Sequence, residues 1–138
     1  MIAETQGKKT VLVIEDDPFL SDLLSSALTE EGVSVEHAAD AESGLEMLRT
    51  KSIAIVLLDI ILPGMDGYEF LKQVKADPSI AQTPVFVLSN LGQKDEIDRA
   101  ISMGAEAFLV KAQLDLSEIV DRVKELLGQS GNAAPSPA

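Results

Sequence analysis

The chain contains no cysteine and no tryptophan, and only one tyrosine and one histidine among 138 residues. Without cysteine there is no disulfide, no thiolate metal site and no cysteine nucleophile, a composition that fits a reducing compartment and an expected cytoplasmic location. The lone histidine, His37, has no second imidazole with which to share a metal and reads as a solvated residue on a strand. Positive charge is scarce as well: 11 Lys and Arg stand against 23 Asp and Glu, a formal net charge of -12. Such a surface repels phosphate backbones and anionic membranes, which argues against direct nucleic-acid binding and against membrane association. Long hydrophobic runs are missing too. The N-terminal region offers Lys8 and Lys9 and then only Val11 to Ile14 before Glu15-Asp16-Asp17, too short for a signal-peptide core or a membrane span.

What is present is apolar: 46% of the residues are hydrophobic, enough to bury one core in a domain of this size. Short apolar runs alternate five times with amphipathic helical patterns, the βαβα rhythm of an α/β fold with helices on both faces of a parallel sheet. The expected strands are Thr10 to Ile14, Val33 to His37, Ile53 to Leu58, Pro84 to Leu88 and Ala107 to Val110. The third and fourth carry unbroken apolar runs, as strands buried on both faces must, so they belong at the centre. A first helix follows the cap Asp17 and Pro18, with Phe19, Leu20, Leu23, Leu24, Ala27 and Leu28 as its apolar face and Gly32 beyond its end. The last helix has Asp115 as cap, Glu118 three residues on, and a stripe of Leu116, Ile119, Val120, Val123 and Leu127 closed by Gly128. Three more are expected over about 41–50 after Asp40, 67–75 before Asp77-Pro78, and 94–103 before Gly104. The third of these has the thinnest apolar face, Ile97, Ala100 and Ile101, and should be the most mobile. Residues 1–8 then form a flexible N-terminus, 9–127 the domain, and 128–138 a disordered tail or linker stub, too rich in small and polar residues to order itself.

In an open α/β sheet, ligands bind beyond the carboxyl ends of the strands. The first strand is followed there by Glu15, Asp16 and Asp17, the third by Asp59, the fourth by Ser89 and the fifth by Lys111. If the first and third strands are neighbours, Glu15, Asp16 and Asp59 converge. Three such carboxylates stay ionised only when a hard cation compensates them; otherwise one takes up a proton. Oxygen-only ligands suit Mg2+, with Mn2+ as a substitute, and magnesium commonly completes its shell with waters and a phosphate oxygen. The site thus points to phosphoryl chemistry. Asp59 can act as the oxygen nucleophile, Lys111 and the cation can balance equatorial charge, and the Ser89 hydroxyl can donate to a phosphoryl oxygen.

The runs Val11 to Pro18, Leu57-Leu58-Asp59-Ile60-Ile61-Leu62-Pro63-Gly64-Met65-Asp66-Gly67, Pro84 to Ser89 and Gly104 to Lys111 resemble the receiver domains of two-component response regulators over about Lys9 to Leu127. The resemblance implies a doubly wound, flavodoxin-like five-stranded sheet of order 2-1-3-4-5. It implies a signalling phosphoacceptor, not an enzyme acting on a separate substrate, with Asp59 as acceptor and Glu15 and Asp16 as the acidic pair. Asp16 is then the direct metal ligand, Glu15 reaches the ion through water, and Ile61 contributes its backbone carbonyl. Ser89 matches the hydroxyl that closes on the phosphoryl group, Lys111 the essential ammonium and Phe108 the aromatic switch. The implied donor is a histidine kinase or phosphotransfer protein. The implied output is a change in the face of the fourth helix, fifth strand and fifth helix, which engages an unknown effector or forms a phosphorylation-dependent dimer. Three positions depart from the usual pattern: Ala112 stands where proline, often cis, follows the lysine, Glu15 replaces aspartate, and Asn90 replaces a smaller residue. Ile61 and Leu91 occupy the positions that frame the hydrolytic water, and neither side chain can orient it, so slow self-dephosphorylation is expected.

Rival readings lack residues. A Toprim-like nucleic-acid enzyme needs an Asp-x-Asp pair, but Ile60 and Ile61 follow Asp59. A flavodoxin-type FMN module needs a hydroxyl- and glycine-rich first loop, but Glu-Asp-Asp-Pro stands there. A degenerate receiver acting only as an interaction module would have lost functional positions that are all present. His37 is not read as a phosphorelay donor, and Tyr68 and Phe70 read as packing residues. Lys94, Arg99, Arg122 and Lys124 read as solvated helix charges.

Overall fold

The computed structural model of the chain describes residues 10–62, 64–89, 94–111 and 115–132, with side chains to residue 128 in the last segment. The expectations placed on residues 1–8, on Asn90, Leu91 and Ala112, and on the tail beyond residue 132 lie outside these. Five parallel strands, β1 (Thr10–Ile14), β2 (Ser34–Ala38), β3 (Ile55–Asp59), β4 (Val85–Ser89) and β5 (Ala107–Val110), form one sheet in the order β2-β1-β3-β4-β5. Helices α1 (Pro18–Glu30), α2 (Ala41–Thr50), α3 (Gly67–Ala76), α4 (Lys94–Ser102) and α5 (Leu116–Asn132) connect and follow them.

Strand residues alternate between the two faces, and the core divides accordingly. Leu12, Ile14, Val56, Leu58, Val85 and Val87 pack with Leu45, Leu48, Phe70, Leu71, Val74 and Ala100, so α2, α3 and α4 cover that face. Val11, Val13, Ile55, Leu57, Phe86 and Leu88 pack with Leu24, Leu28, Val120, Val123 and Leu127, so α1 and α5 cover the other. β3 and β4 are buried at all five positions, as the unbroken apolar runs require.

Three strands sit one or two residues further along the chain than the apolar runs indicate: β2 gains Ala38, β3 gains Asp59 and β4 gains Ser89. Backbone pairing does not depend on side-chain polarity, so the ladder runs past the last apolar residue, pairing Asp59 with Leu88 and Ser89 with Val110. Two candidate site residues are thereby held by the sheet and not by a loop. Two helix expectations are corrected. On α1 Leu24 and Leu28 are buried in the core with Leu20 and Ala27 packed against it as expected, but Ser21 is buried as well, while Phe19 is 72% and Leu23 41% exposed. Those two, four apart, form a separate line outside the strip that meets the sheet, and six apolar residues cover a wider arc than one helix can bury. α5 passes through Gly128 to Asn132; a single glycine costs a helix only about 1 kcal/mol and does not stop it.

The expected caps are present. Asp17 accepts from the Phe19 N–H and Asp40 from Ser43, and α3 has a cap that the sequence did not single out, Asp66, which accepts from Glu69. Asp115 and Glu118 accept from each other's backbone N–H at 3.0 and 3.1 Å, a reciprocal capping box. α4 buries only Ala100 among its described residues. Tyr68 of α3 holds it from the side, donating to the Glu96 carbonyl at 3.3 Å and lying under the Arg99 guanidinium at 3.9 Å from ring centroid.

Two glycines give opposite expectations. A Cβ on Gly67 would lie 2.7 Å from the Ile60 Cα and 3.0 Å from its carbonyl oxygen, backbone that cannot step aside. Gly128 sits inside a helix with open space around it. In urea denaturation Gly67→Ala should lose about 2 kcal/mol, whereas Gly128→Ala should gain about 0.5–1 kcal/mol; a loss at Gly128 would mean that α5 ends there.

Candidate functional site

The carboxyl edge of the sheet gathers the chemistry. β1 delivers Glu15, 2% exposed, and then the exposed Asp16; the neighbouring β3 ends on Asp59, 7% exposed. Parallel pairing of β1 with β3, with Ile14 opposite Leu58, brings the two acidic ends side by side. One oxygen from each of Glu15, Asp16 and Asp59 lies within 4.8 Å of the others.

Lys111 follows β5 directly, its backbone N–H donating to the Ser89 carbonyl at 2.8 Å. Its ammonium donates to Glu15 Oε1 at 2.9 Å and to Asp59 Oδ2 at 3.3 Å. The remaining oxygens accept backbone donors: Asp17 N–H to Glu15 Oε2 at 3.2 Å and Ile61 N–H to Asp59 Oδ1 at 3.0 Å. Every oxygen of the two buried carboxylates is therefore engaged, as burial of charge demands.

The charges do not balance. Three carboxylates face one ammonium. Burial pushes the Glu15 carboxyl above its usual range; the Lys111 hydrogen bond opposes this, and the nearby Asp59 charge adds to it. Burial pulls the Lys111 ammonium down, but its hydrogen bond to Glu15 and the charges of Asp59 and Glu15 outweigh that, and its pKa ends above the ordinary lysine value. A group of oxygen donors carrying excess negative charge is the donor set that a hard divalent cation takes.

Ser89 is fully buried at the end of β4, one residue past the position that faces Asp59. Phe108, the second residue of β5, is half-buried and packs against the core layer beneath α2, α3 and α4. Ile61 is 58% exposed beside Asp59. The structure thus brings Glu15, Asp16, Asp59 and Lys111 into one cluster with Ser89 and Ile61 flanking it, while Phe108 lies deeper along β5.

Two contacts escaped the sequence reading. The Lys111–Glu15 pair joins residues 96 apart, and only the strand order could reveal it. His37 places Nε2 2.9 Å from the Glu15 backbone carbonyl; its position at the end of the second expected strand was the one available signal. No helix among the described residues is long and apolar enough to cross a membrane.

Known proteins resemble this chain in sequence and in fold. The sequence profile of the response regulator receiver domain matches residues 11–124. A DNA-binding dual master transcriptional regulator, RpaA, of a Synechocystis species is 33% identical over 117 residues, covering 85% of this chain and 48% of the relative. Transcriptional regulatory protein HprR of Escherichia coli is 33% identical over 119 residues, covering 86% and 52%. A gliding motility regulatory protein of Myxococcus xanthus, 30% identical, is covered over only 15% of its length. The chain spans about half or less of the curated relatives it matches. A putative response regulator from Chloroflexus aurantiacus superposes with TM-score 0.81 at 29% identity, covering 88% of this chain and 98% of that one. A receiver domain protein described as CheY-like from Methanospirillum hungatei gives 0.80 at 26% identity, covering 93% and 100%.

The Glu15 shift has a definite sign. Because the folded value lies above the unfolded one, this group's contribution to stability is fully present below about pH 4.5 and is lost as pH rises through the folded value. In metal-free buffer at neutral pH, Glu15→Gln should therefore raise the melting temperature, and the gain should vanish in acid. Lys111→Met should lower stability by about 3 kcal/mol, since it strands two buried carboxylates. Thermal unfolding of both variants in EDTA checks the pair; a destabilised Glu15→Gln would contradict the charge imbalance.

Proposed function

This chain belongs to the response regulator receiver family, and we propose on that premise that Asp59 accepts a phosphoryl group from the phosphohistidine of a histidine kinase or phosphotransfer protein. The observation that carries the reading is the convergence of three carboxylates and one ammonium at the ends of β1, β3 and β5, with Asp59 held by the sheet. The oxygen-only donor set with excess negative charge fits Mg2+ or Mn2+. Asp16 and Asp59 would hold the ion directly, Glu15 through water and Ile61 by its backbone carbonyl. When bound, the ion supplies charge neutralisation at the oxygens of the transferred group.

The chain's own residues do the rest. An Asp59 oxygen forms the new bond to phosphorus while the bond from phosphorus to the donor's imidazole nitrogen breaks, and the electron pair leaves with that nitrogen. The Ile61 N–H, already donating to Asp59 Oδ1, keeps the carboxylate oriented. Lys111 need only rotate its ammonium from Asp59 Oδ2 to a phosphoryl oxygen, retaining Glu15 as its anchor. The Ser89 hydroxyl donates to another phosphoryl oxygen. Its movement frees the space into which Phe108 turns, and the face of α4, β5 and α5 changes shape for a cytoplasmic effector or a second copy. The exposed apolar Ile61 cannot orient a hydrolytic water, which favours a long-lived aspartyl phosphate.

Acetyl phosphate with Mg2+ should add the mass of one phosphoryl group to the intact protein. Asp59→Asn, or EDTA in place of Mg2+, should abolish the addition, and Ile61→Asn should shorten the lifetime of the adduct. A protein that stays unmodified at millimolar Mg2+, or Asp59→Asn that is modified as readily as the native chain, would overturn the reading.

A further inference from the structure

We infer that His37 is a positioning residue for the acidic pair: its Nε2–H ties the peptide joining Glu15 to Asp16 onto β2 and so sets the direction in which Asp16 presents its carboxylate. The inference rests on the reading in which Asp16 helps to hold a divalent cation.

Three observations support it. The β1–β2 ladder continues one residue past β1, with the Glu15 N–H donating to the Ala38 carbonyl at 3.1 Å. In a parallel ladder the Glu15 carbonyl would next meet the N–H two residues beyond Ala38. By then the chain has turned, because β2 ends at Ala38 and Asp40 caps α2. The His37 ring nitrogen, 2.9 Å from that carbonyl, supplies the donor in place of the strand. A carbonyl only accepts, so the imidazole carries its proton on Nε2.

The second observation concerns the peptide plane. The Glu15 carbonyl and the Asp16 N–H belong to one rigid planar unit, so holding the oxygen fixes the orientation from which the Asp16 side chain departs. Asp16 is exposed, so packing does not set that direction. The third is that His37 is itself exposed and lies outside both core layers, so its removal should not disturb the fold.

His37→Leu removes the donor, whereas His37→Gln carries an amide N–H at a similar reach. Mg2+ affinity from calorimetric titration should fall roughly tenfold in His37→Leu, the lower end of the range for partners that orient metal ligands. It should largely recover in His37→Gln, with melting temperatures near that of the native chain. In the metal-free protein, long-range proton–nitrogen spectra should place the imidazole proton on Nε2, and the Asp16 amide resonance should move in His37→Leu more than in His37→Gln. Native-like Mg2+ affinity in His37→Leu, or equal loss in both variants, would overturn the inference. If the native chain binds no Mg2+, the cation reading fails by itself. The metal-free spectra then decide the tether: an Nδ1 proton or an unmoved Asp16 amide refutes it, and an Nε2 proton with a displaced amide sustains it.

Discussion

The site depends on one ammonium held between two buried carboxylates. Lys111 comes from β5 at one side of the sheet, Glu15 from β1 and Asp59 from β3, so the triad is made only when all three strands are in register. Bringing charges out of water is unfavourable, and mutual attraction repays it only where the remaining hydrogen-bonding positions are filled. Here they are filled by the Asp17 and Ile61 backbone N–H groups. What stays unbalanced is Asp16, close enough to share a cation and exposed enough to receive one. That residual negative charge is what the proposed hard cation would neutralise, and with it the repulsion of an incoming phosphoryl group.

The fold around this cluster serves to hold it still. β3, flanked by β1 and β4 and covered on both faces, places Asp59 at the end of a strand with no exposed position. Gly67 lets the start of α3 approach the Ile60 backbone closely enough for its N–H to donate to the Ile60 carbonyl at 3.0 Å. α4 is attached differently. It rests on Ala100 and on the lateral hold of Tyr68, so less buried apolar surface ties it to the core than ties α2 or α3.

Much of this was legible in the residues alone. The five-fold alternation of apolar runs and amphipathic segments gives the architecture, and the acidic, hydroxyl and ammonium residues after those runs mark one edge of the sheet. The strand order itself came from family resemblance. Three strand ends were read one residue short because hydrophobicity marks where a strand is buried, not where backbone pairing stops. The outer line of Phe19 and Leu23 was misread because periodicity shows which residues share a helix face but not how much of that face a neighbour covers. Helix α5 outran Gly128 because one glycine is a weak stop when no proline or left-handed turn accompanies it. The Lys111–Glu15 pair and the His37 tether depend on which strands lie adjacent and on side-chain reach, and no local pattern carries either.

The central claim is that Glu15, Asp16 and Asp59 act as one anionic unit left undercompensated by Lys111. Its most direct test is the dependence of thermal unfolding on Mg2+ for the native chain and for Asp16→Asn. A saturable rise in the native melting temperature is expected, worth about 2.7 kcal/mol when Mg2+ reaches a hundred times its Kd, with a much smaller rise in the variant. A native melting temperature indifferent to Mg2+, or an equal rise in both proteins, would contradict it.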